Sequence, residues 1–153
     1  MKDYKVGDLI QITGMVETYR VEKIWQVKHA SYNWRWTEYL LVSPEGSQLF
    51  LETEFDDGEW LVSLYDQKID LPLDGDPGRT IAWEGTTYSL DESGHAVATL
   101  TTAEGEGEPE NMRYWDYEGP GDQVLSVEEW EGVPAEVWLG RSVSPDFVEH
   151  LPQ

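Results

Sequence analysis

The sequence predicts a mainly β protein. It reads as an antiparallel meander of about ten short strands, closed into a barrel or packed as two sheets, with one short helical turn near the C-terminus. Three observations carry that reading. Apolar and aromatic residues recur with a period of two, as in Tyr19, Val21 and then Trp25, Val27. Gly-centred turn chemistry punctuates the chain at the spacing of hairpins, as in Asp56-Asp57-Gly58 and Glu84-Gly85. The chain also carries 8 Trp and 8 Tyr, rings that suit a pleated, half-buried surface.

The elements follow in order. Leu9, Ile10 and Ile12 open the pattern, and Met15 to Val27 continue it through alternating β-branched and aromatic positions. Further strands are predicted over Trp34–Ser43, Gln48–Glu54, Glu59–Tyr65, Thr80–Trp83, Thr86–Leu90 and Ala96–Thr102. Met112–Tyr117, Gln123–Trp130, Ala135–Leu139 and Arg141–Val143 complete the set. Turns are expected at Ser43-Pro44-Glu45-Gly46, Ser93-Gly94, Gly119-Pro120-Gly121 and Glu131-Gly132. Only Ser144-Pro145-Asp146-Phe147 reads as a helix start. Ser144 caps, Pro145 fits the first position, and Asp146 faces the positive end of the dipole. Ser126-Val127-Glu128-Glu129 also has the spacing of a capping box, but it lies within a strand pattern. Asp70 to Gly78 and Glu104 to Glu110 mix acid with Gly and Pro and read as exposed loops that hold no ladder.

A chain of 153 residues reads as a single domain over 1–153. Tyr39 to Tyr65 and Tyr114 to Val143 share one order: strand, Pro/Gly turn, Gln, acidic-aromatic strand, Gly turn, Glu-led strand. Related halves over 5–70 and 79–143 explain the echo; so does chance reuse of a few turn residues.

Charge narrows the function. Thirty-one acidic residues face ten basic ones, for a net charge of −21. Residues 1–35 hold six of the ten basic groups and only four of the acids, so a mildly basic opening leads into an acidic body. Such a surface repels phosphate backbones and anionic lipids, so no nucleic-acid partner is expected. No apolar run spans a bilayer, and the opening Met1 to Gln11 lacks the apolar region of a secretory leader, so a cytoplasmic protein without membrane insertion is expected. With no cysteine, disulfides, thiolate metal sites and cysteine nucleophiles are excluded.

Few residues suggest chemistry. His29, His95 and His150 each sit beside a turn, loop or terminus and read as surface histidines. No Ser lies in a nucleophile-elbow motif, and no glycine loop has the context of a phosphate cradle. No catalytic residue and no cofactor is expected. Asp70, Asp74 and Asp76, and separately Glu104, Glu106, Glu108 and Glu110, are the weak candidates for a divalent cation, although neither set has EF-hand spacing. Tyr32, Trp34 and Trp36 are the weak candidates for stacking on a sugar, although alternate Trp on a strand is more often core. Trp36-Thr37-Glu38-Tyr39 reads as a core-facing ring beside outward polar groups.

A family resemblance adds to this. Val6-Gly7-Asp8, Tyr19-Arg20-Val21, Trp36 to Leu41 and Asp57-Gly58-Glu59-Trp60 occur in order. Leu125 to Trp130 and Glu136 to Arg141 follow them. In this order they resemble the bacterial domain-of-unknown-function family DUF4178, over about Lys5 to Val143. The resemblance implies a β-rich, non-enzymatic module associated with membrane-stress proteins, small membrane proteins and polyamine-synthesis enzymes, with no catalytic residues to carry over. The expected function is therefore a cytoplasmic, non-catalytic interaction module with a protein partner. The alternative is a domain that binds a small ligand: a divalent cation, a polyamine or a carbohydrate. Neither reading fixes the oligomeric state.

Overall fold

The computed structural model describes residues 1–152. Twelve strands follow one another among the described residues. They are β1 (Leu9–Ile12), β2 (Thr18–His29), β3 (Arg35–Val42), β4 (Gln48–Asp56), β5 (Glu59–Ile69) and β6 (Thr80–Trp83). Next come β7 (Thr86–Thr102), β8 (Gly105–Glu106), β9 (Glu110–Glu118), β10 (Gln123–Trp130), β11 (Glu136–Val143) and β12 (Val148–Leu151). The protein is mostly β, and eight strands close an antiparallel barrel in the order β2-β3-β4-β5-β11-β10-β9-β7. The seam is β7 against β2, where Ala96 to Thr101 lie opposite His29 to Ile24. The two echoing segments become consecutive meanders, β3-β4-β5 and β9-β10-β11, joined where β5 pairs β11.

Closure needs bends, and three register shifts supply them. They fall between Val21 and Lys23 of β2, between Leu90 and Glu92 of β7, and between Leu139 and Gly140 of β11. At the last, a Cβ on residue 140 would lie 1.9 Å from the Leu64 carbonyl oxygen, so only glycine lets the two backbones meet. The β4–β5 and β6–β7 hairpins turn through Asp57-Gly58 and Glu84-Gly85, each pair at positive φ, as a two-residue type I′ loop requires.

Which face is inside follows from contacts between strands that do not pair. Phe50 of β4 meets Trp138 of β11, and Trp36 of β3 meets Tyr114 of β9, with ring centroids 4.8 and 4.9 Å apart. Those residues define the lumen, shared by Val27, Ala96, Ala98 and Met112. The opposite parity faces outward yet is largely buried, because the remaining elements fold over it. Ile10 and Ile12 of β1 cover Tyr39, Leu41, Leu51 and Leu64 on one flank. Ile81 of β6, with Leu71 and Leu73, covers Tyr117, Leu125, Val127 and Val137 on the other. Each fully buried aliphatic side chain contributes about 1.5–3 kcal/mol. The main apolar clusters thus lie outside the barrel wall.

The structure corrects several expectations. Thr86–Leu90 and Ala96–Thr102 are one strand running through Ser93-Gly94, which pair with Trp115 and Tyr114 instead of turning. Ala135–Leu139 and Arg141–Val143 likewise merge through the Gly140 bulge into β11. The Glu104–Glu110 segment holds a short ladder after all, with Gly105 and Glu106 paired to Thr102 and Thr101. Ser144 caps a single 3-10 turn over Pro145–Phe147, as its residues require. The chain then continues as β12, which pairs with β1.

Candidate functional site

The lumen is lined with carboxylates. Glu38 of β3, Glu52 of β4, Asp116 of β9 and Glu128 of β10 all share the parity of Trp36 and Tyr114. The register places Glu38 opposite Glu52, and Asp116 opposite Ser126. The Trp36 indole Nε1–H donates to Glu38 Oε2 at 2.8 Å. Glu38 and Glu128 reach across the lumen and hydrogen-bond to each other, and Ser126 donates to Asp116.

Burial governs the electrostatics. Removal from water disfavours the charged form and raises the affinity of all four groups for protons. Mutual repulsion adds to this for Glu52, Glu128 and Asp116, and Asp116 is pushed up to about 8. Two carboxyl groups in one hydrogen bond must share a proton, so Glu38 and Glu128 titrate as a pair.

Two adjoining spaces hold these groups. An inner chamber of about 40 Å³ is lined by Glu38, Glu52, Glu128, Ser126, Tyr65, the Phe50–Trp138 ring pair and Glu136, which is paired with Lys68. A vestibule of about 330 Å³ is lined by Glu52, Glu54, Glu92, Asp116, Tyr65 and Trp36. Glu52 and Tyr65 belong to both and form the boundary. Tyr65 is 6% exposed, and its hydroxyl makes no hydrogen bond among the described residues. The four carboxylates surround it and, with burial, hold it well above the usual phenol range. Glu52 also lacks a hydrogen-bond partner among the described residues; its remaining accessible surface lines the cavities.

The vestibule opens between hairpin tips. Trp34 and Leu61, 47% and 49% exposed, line the mouth with Trp60. Tyr32 stacks on Trp34 at 4.9 Å, and Phe55 packs beside Trp60 at 5.2 Å. His29 fixes the β2–β3 tip. Its Nδ1 accepts the backbone N–H of Ser31 and of Tyr32, at 3.0 and 3.1 Å. Gly94 leaves the space that its ring fills, since a Cβ there would lie 2.7 Å from Nε2. His29 is therefore a buried staple of the tip and not the surface histidine its position beside a turn predicts.

The sequence candidates divide. Trp36 is inside the barrel, while Tyr32 and Trp34 are exposed at its mouth. Asp70, Asp74 and Asp76 are exposed, and Asp76 pairs with Arg113. Glu104, Glu106, Glu108 and Glu110 are also exposed, with Glu104 accepting from Thr102 Oγ1 at 2.8 Å. Among the described residues no three His, Cys, Asp or Glu side chains are grouped to hold a metal ion. The sequence pattern predicts Glu38 outward beside a core-facing Trp36; the structure instead places it inside the barrel with Glu52, Asp116 and Glu128. The available signal was their shared parity with Trp36 and Tyr114.

The profile of the family described as Domain of unknown function (DUF4178) matches residues 5–145. The chain belongs to the DUF4178 family. The match runs from before β1 into the 3-10 turn, so every strand of the barrel lies within the family's domain. No curated protein and no solved structure matches the chain.

Proposed function

We propose that this DUF4178 domain is a non-catalytic binding module whose barrel takes a small organic cation. One observation carries the reading: the Tyr65 side chain is buried, yet its hydroxyl is open to the cavities, makes no hydrogen bond among the described residues, and stands among four lumen carboxylates where the linings of two cavities meet. Folding alone gains nothing from such a group. A positively charged, hydrogen-bonding ligand would neutralise the acids and accommodate the donor, and the aromatic lining offers ring faces to its alkyl part. Amines, polyamines included, fit this description better than a divalent metal, because the acids are spread along the lumen and not gathered at one point. A carboxylate-pair hydrolase is disfavoured, since Glu38 and Glu128 are hydrogen-bonded, nearer than the roughly 5 Å such mechanisms use.

The test is titration calorimetry at low salt with spermidine, putrescine, Mg²⁺, Ca²⁺ and glucose, repeated on Glu52→Gln. Saturable binding of an amine, weakened by the substitution, supports the reading. Heats that match the salt control for every compound reject it.

A protein partner is the second reading, favoured by the exposed Tyr32, Trp34, Phe55 and Leu61 on hairpin tips at the mouth. A partner carrying a cationic segment would meet both this rim and the acids beneath it.

A further inference from the structure

The two chambers differ in size, and that difference bears on what the cation looks like; the argument rests on the cation-binding reading above. The inner chamber, at about 40 Å³, has room for a water-sized group and little more. It ends against the Phe50–Trp138 pair, with Trp25 on the other side of Phe50. Its polar wall is Glu38, Glu52, Glu128, the Ser126 hydroxyl and Glu136, the last already paired with Lys68, which leaves acceptors enough for the three N–H bonds of one primary ammonium. The vestibule is about eight times larger by the same measure and carries Glu54, Glu92 and Asp116. Tyr65 and Glu52 stand where the two meet.

We infer that the inner chamber holds one terminal primary ammonium of an unbranched aliphatic amine, whose chain runs past Tyr65 into the vestibule, and that this ammonium enters in exchange for the proton shared by Glu38 and Glu128. No covalent bond changes; the proton leaves to solvent as the ammonium replaces it. A quaternary or branched head is excluded by volume, and a second positive charge further along the chain meets the vestibule acids. The titratable groups that face the exchange come from every packed strand. Glu38 comes from β3, Glu52 and Glu54 from β4, Tyr65 from β5, Asp91 and Glu92 from β7, Tyr114, Asp116, Tyr117 and Glu118 from β9, and Glu128 from β10. β11 adds Glu136, which is paired with Lys68, and β2 adds His29 against the Tyr114 ring. Tyr114 donates its hydroxyl to Glu92 at 2.9 Å; the Glu38–Glu128 pair is the shared-proton site of the inner chamber, and Asp116 holds a further proton in the vestibule.

The same chemistry has two sources, a free diamine or a lysine side chain of a partner. The experiment uses the full chain with 1,5-diaminopentane, its bis(trimethylammonium) analogue, and a short lysine-containing peptide with blocked ends. Calorimetry in two buffers of different ionisation enthalpy counts the protons released. The expected result is binding of the diamine with at least about one proton released near neutral pH, and at least about tenfold weaker binding of the quaternary analogue. Glu128→Gln should lower the proton release by about one and weaken the diamine about tenfold or more, while Glu92→Gln weakens it but keeps the release. A peptide that binds tighter than the diamine assigns the chamber to a partner's lysine; the reverse assigns it to a free amine. Either ranking supports the chamber. Equal affinity for the quaternary analogue, or diamine binding without proton release by the unmodified protein, overturns the inference while leaving cation binding intact. Failure of every cation to bind instead removes the reading on which it rests.

Discussion

Asp116 supplies the sharpest test of the buried acids. Its ordinary value of 3.8 is pushed up to about 8, first by burial and then by Glu38 and Glu92. The folded state therefore holds a proton there that the unfolded state has lost over the window from about pH 4 to about pH 8. Where the folded state binds more protons, stability falls as pH rises, so this contribution is fully present below the window and gone above it. At about 1.4 kcal/mol per pH unit, the difference between 3.8 and about 8 corresponds to roughly 6 kcal/mol as an upper bound. Because the neighbouring acids repel one another, relief at one site eases ionisation at the next, and about 2–3 kcal/mol is expected from Asp116→Asn. For a chain of this size that raises the melting temperature by about 5–10 °C at pH 9. At pH 5, about one unit into the window, the substitution should gain only about a quarter of that, and at pH 4 almost nothing. The assay is urea and thermal unfolding of both proteins from pH 5 to 9. Net charge also weakens the protein as pH rises, so the decisive quantity is the difference between variant and parent. A difference that stays flat with pH refutes the argument.

Four further outcomes follow from the packing. Gly140→Ala places a methyl 1.9 Å from the Leu64 carbonyl oxygen and should cost about 3 kcal/mol or more in urea unfolding. His29→Phe removes the acceptor of two backbone N–H groups, so the Ser31 and Tyr32 amides should exchange hydrogen much faster, by about tenfold or more. Replacing Glu104, Glu106, Glu108 and Glu110 with Gln alters only exposed side chains and should move the melting temperature by no more than about 2 °C. Tyr65→Phe deletes a hydroxyl that makes no hydrogen bond, so stability should hold or rise by up to about 1 kcal/mol while amine affinity falls.

The strands were legible because their signals are local. Period-two alternation and turn residues fix β6 and β10 to the residue and β4 to within two, while β5 starts where expected and runs four residues further, to Ile69. The misreadings have a common origin in pairing between distant segments. Ser93-Gly94 carries turn chemistry, yet the β9 strand opposite it supplies a ladder that outweighs the local preference. Gly140 interrupts an alternation because the β5 backbone comes close there, a fact no local pattern contains. The site was hidden for a deeper reason. Trp36 and Glu38 share a face, and a Trp beside acids on a strand ordinarily separates into an inward ring and outward charges. Here both point inward. The residues that look like a conventional core, such as Tyr39, Leu41, Leu125 and Val127, lie on the outer wall beneath the covering strands.

That inversion bears on why the acids are there. An apolar lumen of the same volume would fold at lower cost than one holding four carboxylates, which must either keep a proton or bear an uncompensated charge. The outer clusters already hold the wall together, with Ile10, Ile12, Val21, Leu41, Leu51 and Leu125 fully buried. The lumen is thus relieved of the task of stabilising the barrel and is open to selection for something else. Stability is readily gained by substitution, and groups that oppose it persist where activity depends on them. The enclosed acids differ in this from the exposed ones. Glu104 to Glu110 contribute charge that solvent screens, whereas Glu38, Glu52, Asp116 and Glu128 hold theirs where a single positive group would interact with several at once. The consequential part of the net charge of −21 is therefore the small share inside the barrel, where each ionised group costs folding energy that a bound cation can return.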